Sequence, residues 1–140
     1  YAKKKNCKDI IVSAEIESEI SLIENDEEKI EFLKSIGLDE TSLSKLSREG
    51  YSLLNLITFF TSGVSESRAW SCESGTYAPA AGAKIHTDFE RGFIKAETIS
   101  YSDFIKYGGE NLCRENGKLR QEGKDYEVKD GDIMNFKFNV

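Results

Sequence analysis

The chain has 140 residues, of which 39% are hydrophobic, so it can form about one ordinary domain with a packed core. Its 19 basic and 25 acidic residues give a net charge of -6, which excludes a globally basic nucleic-acid-binding protein and leaves only local basic patches for such contacts. No apolar run approaches the roughly 18 residues of a membrane span, and the lysine-rich start lacks a signal-peptide core. Three widely spaced cysteines, Cys7, Cys72 and Cys113, disfavour a disulfide framework or a zinc site and favour a reducing compartment.

Residues 1–53 predict one strand followed by helices. The β-branched run Ile10–Val12 is typical of a buried strand and ends at Ser13-Ala14-Glu15. Two helices follow, one capped at Asn25 or Asp26 and stopped by Gly37, and one that starts near Thr41 or Ser42. Because one strand cannot form a sheet by itself, this part of the sequence looks incomplete.

Residues 54–140 predict a mixed α+β domain. Strands are predicted over 54–60, 68–72, 93–99, 119–120 and 126–128, with a last strand in which Met134, Phe136 and Phe138 alternate with polar residues. A helix is predicted behind Pro79 over 78–85, and helical turns over 103–107 and 111–116. Several strands around little helix favour a β-grasp fold or a small barrel. The predicted core residues are Leu56, Phe60, Trp70, Ile94, Ile99, Val128, Met134, Phe136 and Phe138.

Long ordered stretches of the sequence carry a resemblance to a known family. They are Leu56-Ile57-Thr58-Phe59-Phe60-Thr61, Arg68-Ala69-Trp70, Ala78-Pro79, Ile85-His86-Thr87-Asp88-Phe89-Glu90-Arg91-Gly92-Phe93-Ile94 and Glu122-Gly123-Lys124-Asp125-Tyr126. With them, residues 20–140 resemble the C-terminal region of the YchF family of Obg-related, Ola-type P-loop nucleotide hydrolases. The closing residues, 130–140, are similar to the natural C-terminus of a bacterial member.

The resemblance implies a fold and a domain organisation. Residues 54–140 would be a TGS domain, which is a ubiquitin-like β-grasp module, and residues 1–53 would be the C-terminal remnant of the α/β nucleotide-binding domain with connecting helices. Ser13, Ala14 and Glu15 resemble the last guanine-nucleotide motif, a loop at a strand end whose backbone amides face the base. ATP or GTP and Mg²⁺ would be bound by the intact protein.

A missing motif limits what this chain can do by itself. Nowhere is a glycine followed by the Lys-Ser or Lys-Thr of a Gly-x-x-x-x-Gly-Lys-Ser/Thr loop, so the cradle for β- and γ-phosphates is absent from the sequence. We therefore expect no catalytic residues, no cofactor in this fragment and no nucleotide hydrolysis by it.

Ribosome and RNA contact is the function that the resemblance implies, in a cytoplasmic protein. Six basic residues of the second half are the candidates for contacts with RNA phosphates: Lys84, Arg91, Lys95, Lys118, Arg120 and Lys124. We expect neither DNA nor a membrane as a partner, and we expect a monomer. One alternative is a protein–protein interaction module that uses the face or edge of a β-grasp sheet without RNA. Another is the TGS domain of a synthetase, which residues 86–94 and the C-terminal ending disfavour.

His86, Asp88 and Glu90 would share a face if they lay on a strand, where they could hold a metal ion. Zinc usually needs more than one His or Cys ligand, and the chain has a single histidine. We therefore expect no metal site. A nucleophilic pair of Cys72 or Cys113 with His86 has no local motif to support it.

Overall fold

A computed structural model describes residues 4, 7–63 and 66–139. The chain divides into two compact units, Tyr1–Leu53 and Leu54–Val140. Within the described ranges, none of the helices combines the length and the apolar character that crossing a lipid bilayer requires.

The first unit contains three helices, α1 (Ala14–Leu22), α2 (Asp26–Ser35) and α3 (Ser42–Leu53). The predicted starts of the last two are confirmed. The Asn25 side chain accepts the backbone N–H of Glu27 at 2.8 Å and so caps α2. Glu17 of α1 accepts the backbone N–H of Ser42 at 2.6 Å, which satisfies one donor at the start of α3.

The strand predicted at Ile10–Val12 is wrong. Residues 7–13 have neither helical nor strand structure, and the side chain of Ile11 is 88% exposed. A strand needs a neighbour to bond its backbone, and the described part of the first unit contains no second strand. The apolar residues of this segment therefore have no sheet to join within the unit.

The second unit is built on one mixed five-stranded sheet, with β1 (Leu56–Ser62), β2 (Ser67–Glu73), β3 (Phe93–Ser100), β4 (Arg120–Glu122) and β5 (Asp132–Phe138) in the order β2-β1-β5-β3-β4. All neighbours are antiparallel except β1 and β5, whose parallel pairing is limited to Phe60 opposite Ile133. Thr58 of β1 also bonds the residue before β5, since its carbonyl accepts the Gly131 N–H at 2.8 Å. The α+β class predicted from the sequence is confirmed.

The strand predicted over 126–128 is wrong. This segment bonds the loop before the next helix rather than β4: the Ala78 N–H donates to the Tyr126 carbonyl and the Val128 N–H to the Thr76 carbonyl, each at 2.9 Å. Only an isolated bridge between Tyr77 and Glu127 results. The turn at 122–125 therefore leads the chain away from β4 instead of folding it back as a hairpin.

Four short helices lie on the two faces of the sheet. Side chains alternate along each strand, so Phe59, Met134 and Phe136 define a core face, and Lys95, Glu97 and Lys137 define the opposite face, called here the lysine face. The core face is covered by α4 (Ala78–Ala83) and α5 (Thr87–Arg91). On the lysine face, α6 (Tyr101–Tyr107) and α7 (Glu110–Glu115) cover one end: Tyr101 contacts Phe60, and Arg114 reaches Glu97.

The core confirms the predicted burial of Ile99, Val128, Met134 and Phe136. Phe136 contacts Phe59, Phe89 and Phe93, with ring centroids 6.0, 6.1 and 6.4 Å away. Leu56, Phe60 and Trp70 are half-buried, and Phe138 lies at the margin of the core.

Two assignments of the core differ from the prediction. In β1 it is Phe59 that is fully buried on the core face, because Phe60 lies on the other side of the strand. Ile94, predicted to be buried, is 56% exposed because the register with β5 shifts between Phe93 and Lys95.

Candidate nucleic-acid interface

The predicted nucleotide loop lies at the start of α1. Ser13 precedes the helix and its hydroxyl accepts the backbone N–H of Ile16 at 3.4 Å, so this side chain serves as the N-cap. Ala14 and Glu15 form the first turn, and Glu15 is exposed. The loop thus follows a segment without helical or strand structure, and the Ser13 side chain is used locally.

The six predicted basic residues do not form one surface. Lys84 and Arg91 lie at the ends of α4 and α5, the helices that cover the core face, and Arg91 is 3.8 Å from Asp88. Lys95 lies on the lysine face instead. Lys118 follows α7 and is 4.0 Å from Asp103, while Lys124 is exposed in the turn after β4. A partner that contacts one of these sites from one side of the sheet cannot reach all of them.

Arg120 is held by groups of its own domain. Its Nε donates to Glu122 at 3.0 Å, and its Nη2 donates to the Tyr126 hydroxyl at 3.0 Å and to Asp132 at 3.4 Å. Asp132 also accepts the Tyr126 hydroxyl at 2.7 Å and the Lys129 N–H at 2.9 Å. Burial, followed by the hydrogen bond to Asp132, raises the pKa of Tyr126. The geometry gives Arg120 a structural role around a buried carboxylate.

Two lysines face each other near one end of the β3–β5 ladder, on the lysine face. Lys95 of β3 and Lys137 of β5 are register partners in the antiparallel ladder, which places like charges directly opposite. Lys95 donates to the neutral amide oxygen of Gln121 at 3.1 Å. Lys137 is 3.5 Å from Glu97 Oε2. This pair marks the sheet face as a concentration of positive charge.

Arg114 completes a cluster around Glu97, here called the lysine-face cluster and defined as Lys95, Glu97, Arg114 and Lys137. The Nη2 atom of Arg114 is 3.7 Å from Glu97 Oε2, the same oxygen that Lys137 approaches, and 2.9 Å from Glu110. The Glu97 side chain is 14% exposed. Sequence reasoning missed Arg114 and Lys137. The alternation of the last strand predicts that the Lys137 side chain points away from the side of Phe136. The sequence around Arg114 does not show which strand its helix covers.

The metal hypothesis for His86, Asp88 and Glu90 rests on a strand that does not form. These residues begin a helix: His86 is the N-cap of α5 and its Nδ1 accepts the backbone N–H of Asp88 at 3.2 Å. Among the residues that the structure describes, no group of three His, Cys, Asp or Glu side chains is arranged to hold a metal ion. Burial raises the pKa of Cys72 and of Cys113, which lowers their fraction of reactive thiolate.

A groove of about 480 Å³ opens on the core face, between the end of the β1–β2 hairpin and α5. Its aromatic wall is formed by Trp70, Phe89 and Phe136. The Trp70 indole N–H donates to Thr61 Oγ1 at 3.0 Å, and the Arg68 guanidinium lies 4.7 Å from the centre of the Trp70 ring. This groove is distinct from the lysine face and has a different chemistry.

Comparison with known proteins gives a consistent result. The family model YchF-GTPase_C, described as "Protein of unknown function (DUF933)", matches residues 56–139. A protein of Haemophilus influenzae named "Ribosome-binding ATPase YchF" is 55% identical over 139 residues, covering 99% of this chain and 38% of that protein. The protein of the same name from Bacillus subtilis is 48% identical over 140 residues, covering 100% and 38%.

Solved structures agree with the sequence comparison. The Schizosaccharomyces pombe YchF GTPase superposes with a TM-score of 0.76 at 40% identity, over 90% of this chain and 33% of that one. A GTP-binding protein from Pyrococcus horikoshii gives a TM-score of 0.62 at 20% identity over 98% of this chain and 39% of that one, which shows a shared fold. The chain spans about 38% of the length of the curated relatives it matches. Since the family model covers more than half of the sequence, the chain belongs to the YchF family, as its resemblance in sequence predicted.

Proposed function

We propose that this chain is the ribosome-interacting part of a longer ATP-hydrolysing protein, and that residues 54–140 act as a TGS module that contacts ribosomal RNA. The observation that carries the proposal is identity of about half along the whole chain to proteins named for ribosome binding and ATPase activity. The protein acts in the cytoplasm. ATP or GTP, with Mg²⁺, binds to the part of the longer protein that holds the phosphate loop.

The sheet topology supports the β-grasp assignment. In the order β2-β1-β5-β3-β4, an N-terminal hairpin and a C-terminal strand meet in parallel at the centre, and α4 and α5 cross one face between β2 and β3. A ubiquitin-like module has this arrangement: a central parallel pair with a helical crossover on one side. The fold alone does not determine the function, which depends on the residues exposed on its surface.

The surface chemistry supports contact with RNA. In a chain of net charge -6, the lysine-face cluster combines three cations with the carboxylate of Glu97, and its Arg114 also contacts Glu110. Phosphate backbones are bound by such local basic surfaces, even on acidic proteins. Ser13, Ala14 and Glu15 take the proposed role of base-facing loop in the longer protein, where the segment before them can join a sheet.

Co-sedimentation with ribosomes in a salt series tests the proposal. We expect the 140-residue chain to pellet with ribosomes at low salt and to be released steeply as salt rises, because counterions released on phosphate binding make the affinity salt-dependent. Bovine serum albumin, which is also acidic, serves as the control for trapping in the pellet. Absence of sedimentation above that control at low salt would contradict the proposal.

A second candidate function is recognition of a protein segment by the groove on the core face. The aromatic wall of Trp70, Phe89 and Phe136 favours it, since aromatic pockets anchor protein partners. Binding through this groove would depend weakly on salt and would be lost in Trp70→Ala while the lysine-face variants kept it. Ribosome binding with a flat salt dependence would favour this alternative.

A further inference from the structure

We infer that the lysine-face cluster is the surface that binds RNA phosphates, and that Glu97 limits this binding because it competes for two of the three cations. The inference rests on the proposed function and deepens it by naming the face of the sheet, the ligand chemistry and an internal competitor. It departs from the six residues expected from the sequence, of which only Lys95 lies in the cluster.

The first argument is the uncompensated charge of Lys95. Directly opposed like charges on neighbouring antiparallel strands destabilise a sheet. Lys137 is partly neutralised by Glu97 at 3.5 Å, but Lys95 has only the neutral Gln121 amide oxygen at 3.1 Å, and it makes no ion pair within the described residues. An anion placed between Lys95 and Lys137 would remove the repulsion and satisfy both ammonium groups.

The second argument is the crowding of two cations on one oxygen. Arg114 and Lys137 both approach Glu97 Oε2, at 3.7 and 3.5 Å. These distances are longer than the 2.7–2.9 Å or so of a good charge-assisted hydrogen bond. Lys137 is therefore held near Arg114 without a full hydrogen bond to Glu97, while Arg114 has a closer contact with Glu110 at 2.9 Å. A phosphate offers several acceptor oxygens, which suits the fork of an arginine and the point charge of a lysine at the same time.

The third argument selects RNA over an acidic protein. The register partners of Glu97 on this face are polar, Gln121 on β4 and Asn135 on β5. The apolar residues beside Glu97 are buried or half-buried: Ile99, Leu119 and Ile133. Protein interfaces are anchored by buried aromatic or apolar groups, and the cluster offers none. Amides and cations without an apolar anchor suit the phosphates, 2′-hydroxyls and base edges of RNA.

The first test compares two pairs of cations on opposite faces. The variant Lys95→Ala/Lys137→Ala is matched with Lys84→Ala/Arg91→Ala, which removes the same charge from the helices over the core face. The probe is fluorescein-labelled oligouridine, and its anisotropy gives the dissociation constant at several salt concentrations. We expect the lysine-face variant to bind about tenfold more weakly. The slope of log affinity against log salt concentration should become shallower by about 1.4, because each contact with a single-strand phosphate contributes about 0.7. The control should keep the wild-type slope.

The second test is a gain of binding. Glu97→Gln removes the competitor while it keeps the size of the side chain, so we expect binding to tighten about threefold to tenfold and the slope to rise by about 0.7. Glu90→Gln, an equal charge change on α5, is the control and should leave both values unchanged. Thermal unfolding of all four variants checks that the fold is kept. If Lys95→Ala/Lys137→Ala does not fold, the binding of Glu97→Gln still tests the inference.

The other possible outcomes contradict the inference, and each shows whether the proposed function is contradicted as well. Equal loss in both double variants, or no gain in Glu97→Gln, would place the RNA surface elsewhere and leave the proposed function standing. Ribosome co-sedimentation without oligouridine binding would do the same. Polyglutamate that competes as tightly as RNA would assign the cluster to an acidic protein. Failure of both ribosome and oligouridine binding would overturn the proposed function together with the inference.

Discussion

Tyr126 donates its phenolic hydrogen to Asp132 across 2.7 Å, and Asp132 is 3% exposed. The carboxylate also accepts the Lys129 N–H and a guanidinium hydrogen of Arg120. A buried carboxylate is costly to leave without donors, so these three groups permit its burial at the start of β5. The arrangement ties the segment after β4 to the last strand.

Loss of the Tyr126 hydroxyl should destabilise the domain. Tyr126→Phe removes the hydrogen bond donated to the Asp132 carboxylate and the one accepted from Arg120, and we expect the free energy of unfolding to fall by about 1.5–3 kcal/mol. Tyr77→Phe is the matched control, because the Tyr77 side chain is largely exposed and should change stability by less than about 0.5 kcal/mol. Urea denaturation followed by circular dichroism gives both values. Equal stability of the two variants would remove the role assigned to the hydroxyl.

Stability should also fall at alkaline pH because of Tyr126. Burial and the Asp132 hydrogen bond raise its folded-state pKa above the ordinary value of about 10. The contribution is therefore fully present below about pH 10 and is lost as the pH rises from there toward the raised folded-state pKa, since the unfolded chain releases its proton first. Urea midpoints measured on either side of pH 10 should fall more in the wild type than in Tyr126→Phe. Parallel declines would contradict the assignment.

Core burial in β5 should dominate the stability of the second unit. Phe136→Ala is expected to cost about 3–5 kcal/mol, because it removes contacts with several aromatic rings and leaves a cavity. Ile94→Ala, on an exposed side chain of β3, should cost less than about 1 kcal/mol. Chemical denaturation of the two variants checks the register shift that places Ile94 outside. A large loss for Ile94→Ala would show that the shift is wrong.

Gly92 should tolerate no side chain. A Cβ atom there would lie 2.2 Å from the carbonyl oxygen of Asn139, which is backbone and cannot move alone. We expect Gly92→Ala to destabilise the domain by about 1–3 kcal/mol, as overpacking does. At Gly123 an added Cβ meets nothing within 4 Å, so Gly123→Ala serves as the control. Thermal unfolding should separate the two, and matching midpoints would refute the close approach.

Nucleotide binding by the isolated chain is expected to be undetectable. The sequence contains no phosphate loop, so the amides and lysine that hold the β- and γ-phosphates are missing. Titration calorimetry with Mg·ATP should give no saturable heat. Micromolar binding would reveal a nucleotide site that neither the sequence nor the described structure explains.

The sequence predicted elements best where a pattern had one interpretation. Alternation of Met134, Phe136 and Phe138 with polar neighbours gave both the last strand and its buried side, with Phe138 at the margin. The run before Phe60 is continuously apolar, so periodicity could not tell whether Phe59 or Phe60 is inside. The exposure of Ile94 depends on a register shift with β5, which no local pattern contains.

The candidate site was harder to predict than the fold. Lys95 could be named from its sequence neighbourhood, but its partners on the lysine face come from a strand 42 positions later and from a helix. Arg120 was named for the opposite reason: it lies in a basic stretch, yet the structure engages it with Asp132 and Tyr126. The number of basic residues in a stretch of sequence does not show which carboxylates the fold places beside each of them.

The narrow parallel junction between β1 and β5 has a consequence for the dynamics of the sheet. Since the register pairing of the two strands is limited to Phe60 opposite Ile133, beside the Gly131–Thr58 hydrogen bond, the sheet consists of two ribbons, β2-β1 and β5-β3-β4, joined at the middle of β1 and the start of β5. Local opening in proteins follows such cooperative units. Amide hydrogens of the β1–β2 hairpin should therefore exchange with solvent as a group, ahead of those that bond β3 to β5, so that the hairpin can separate while the lysine face stays intact.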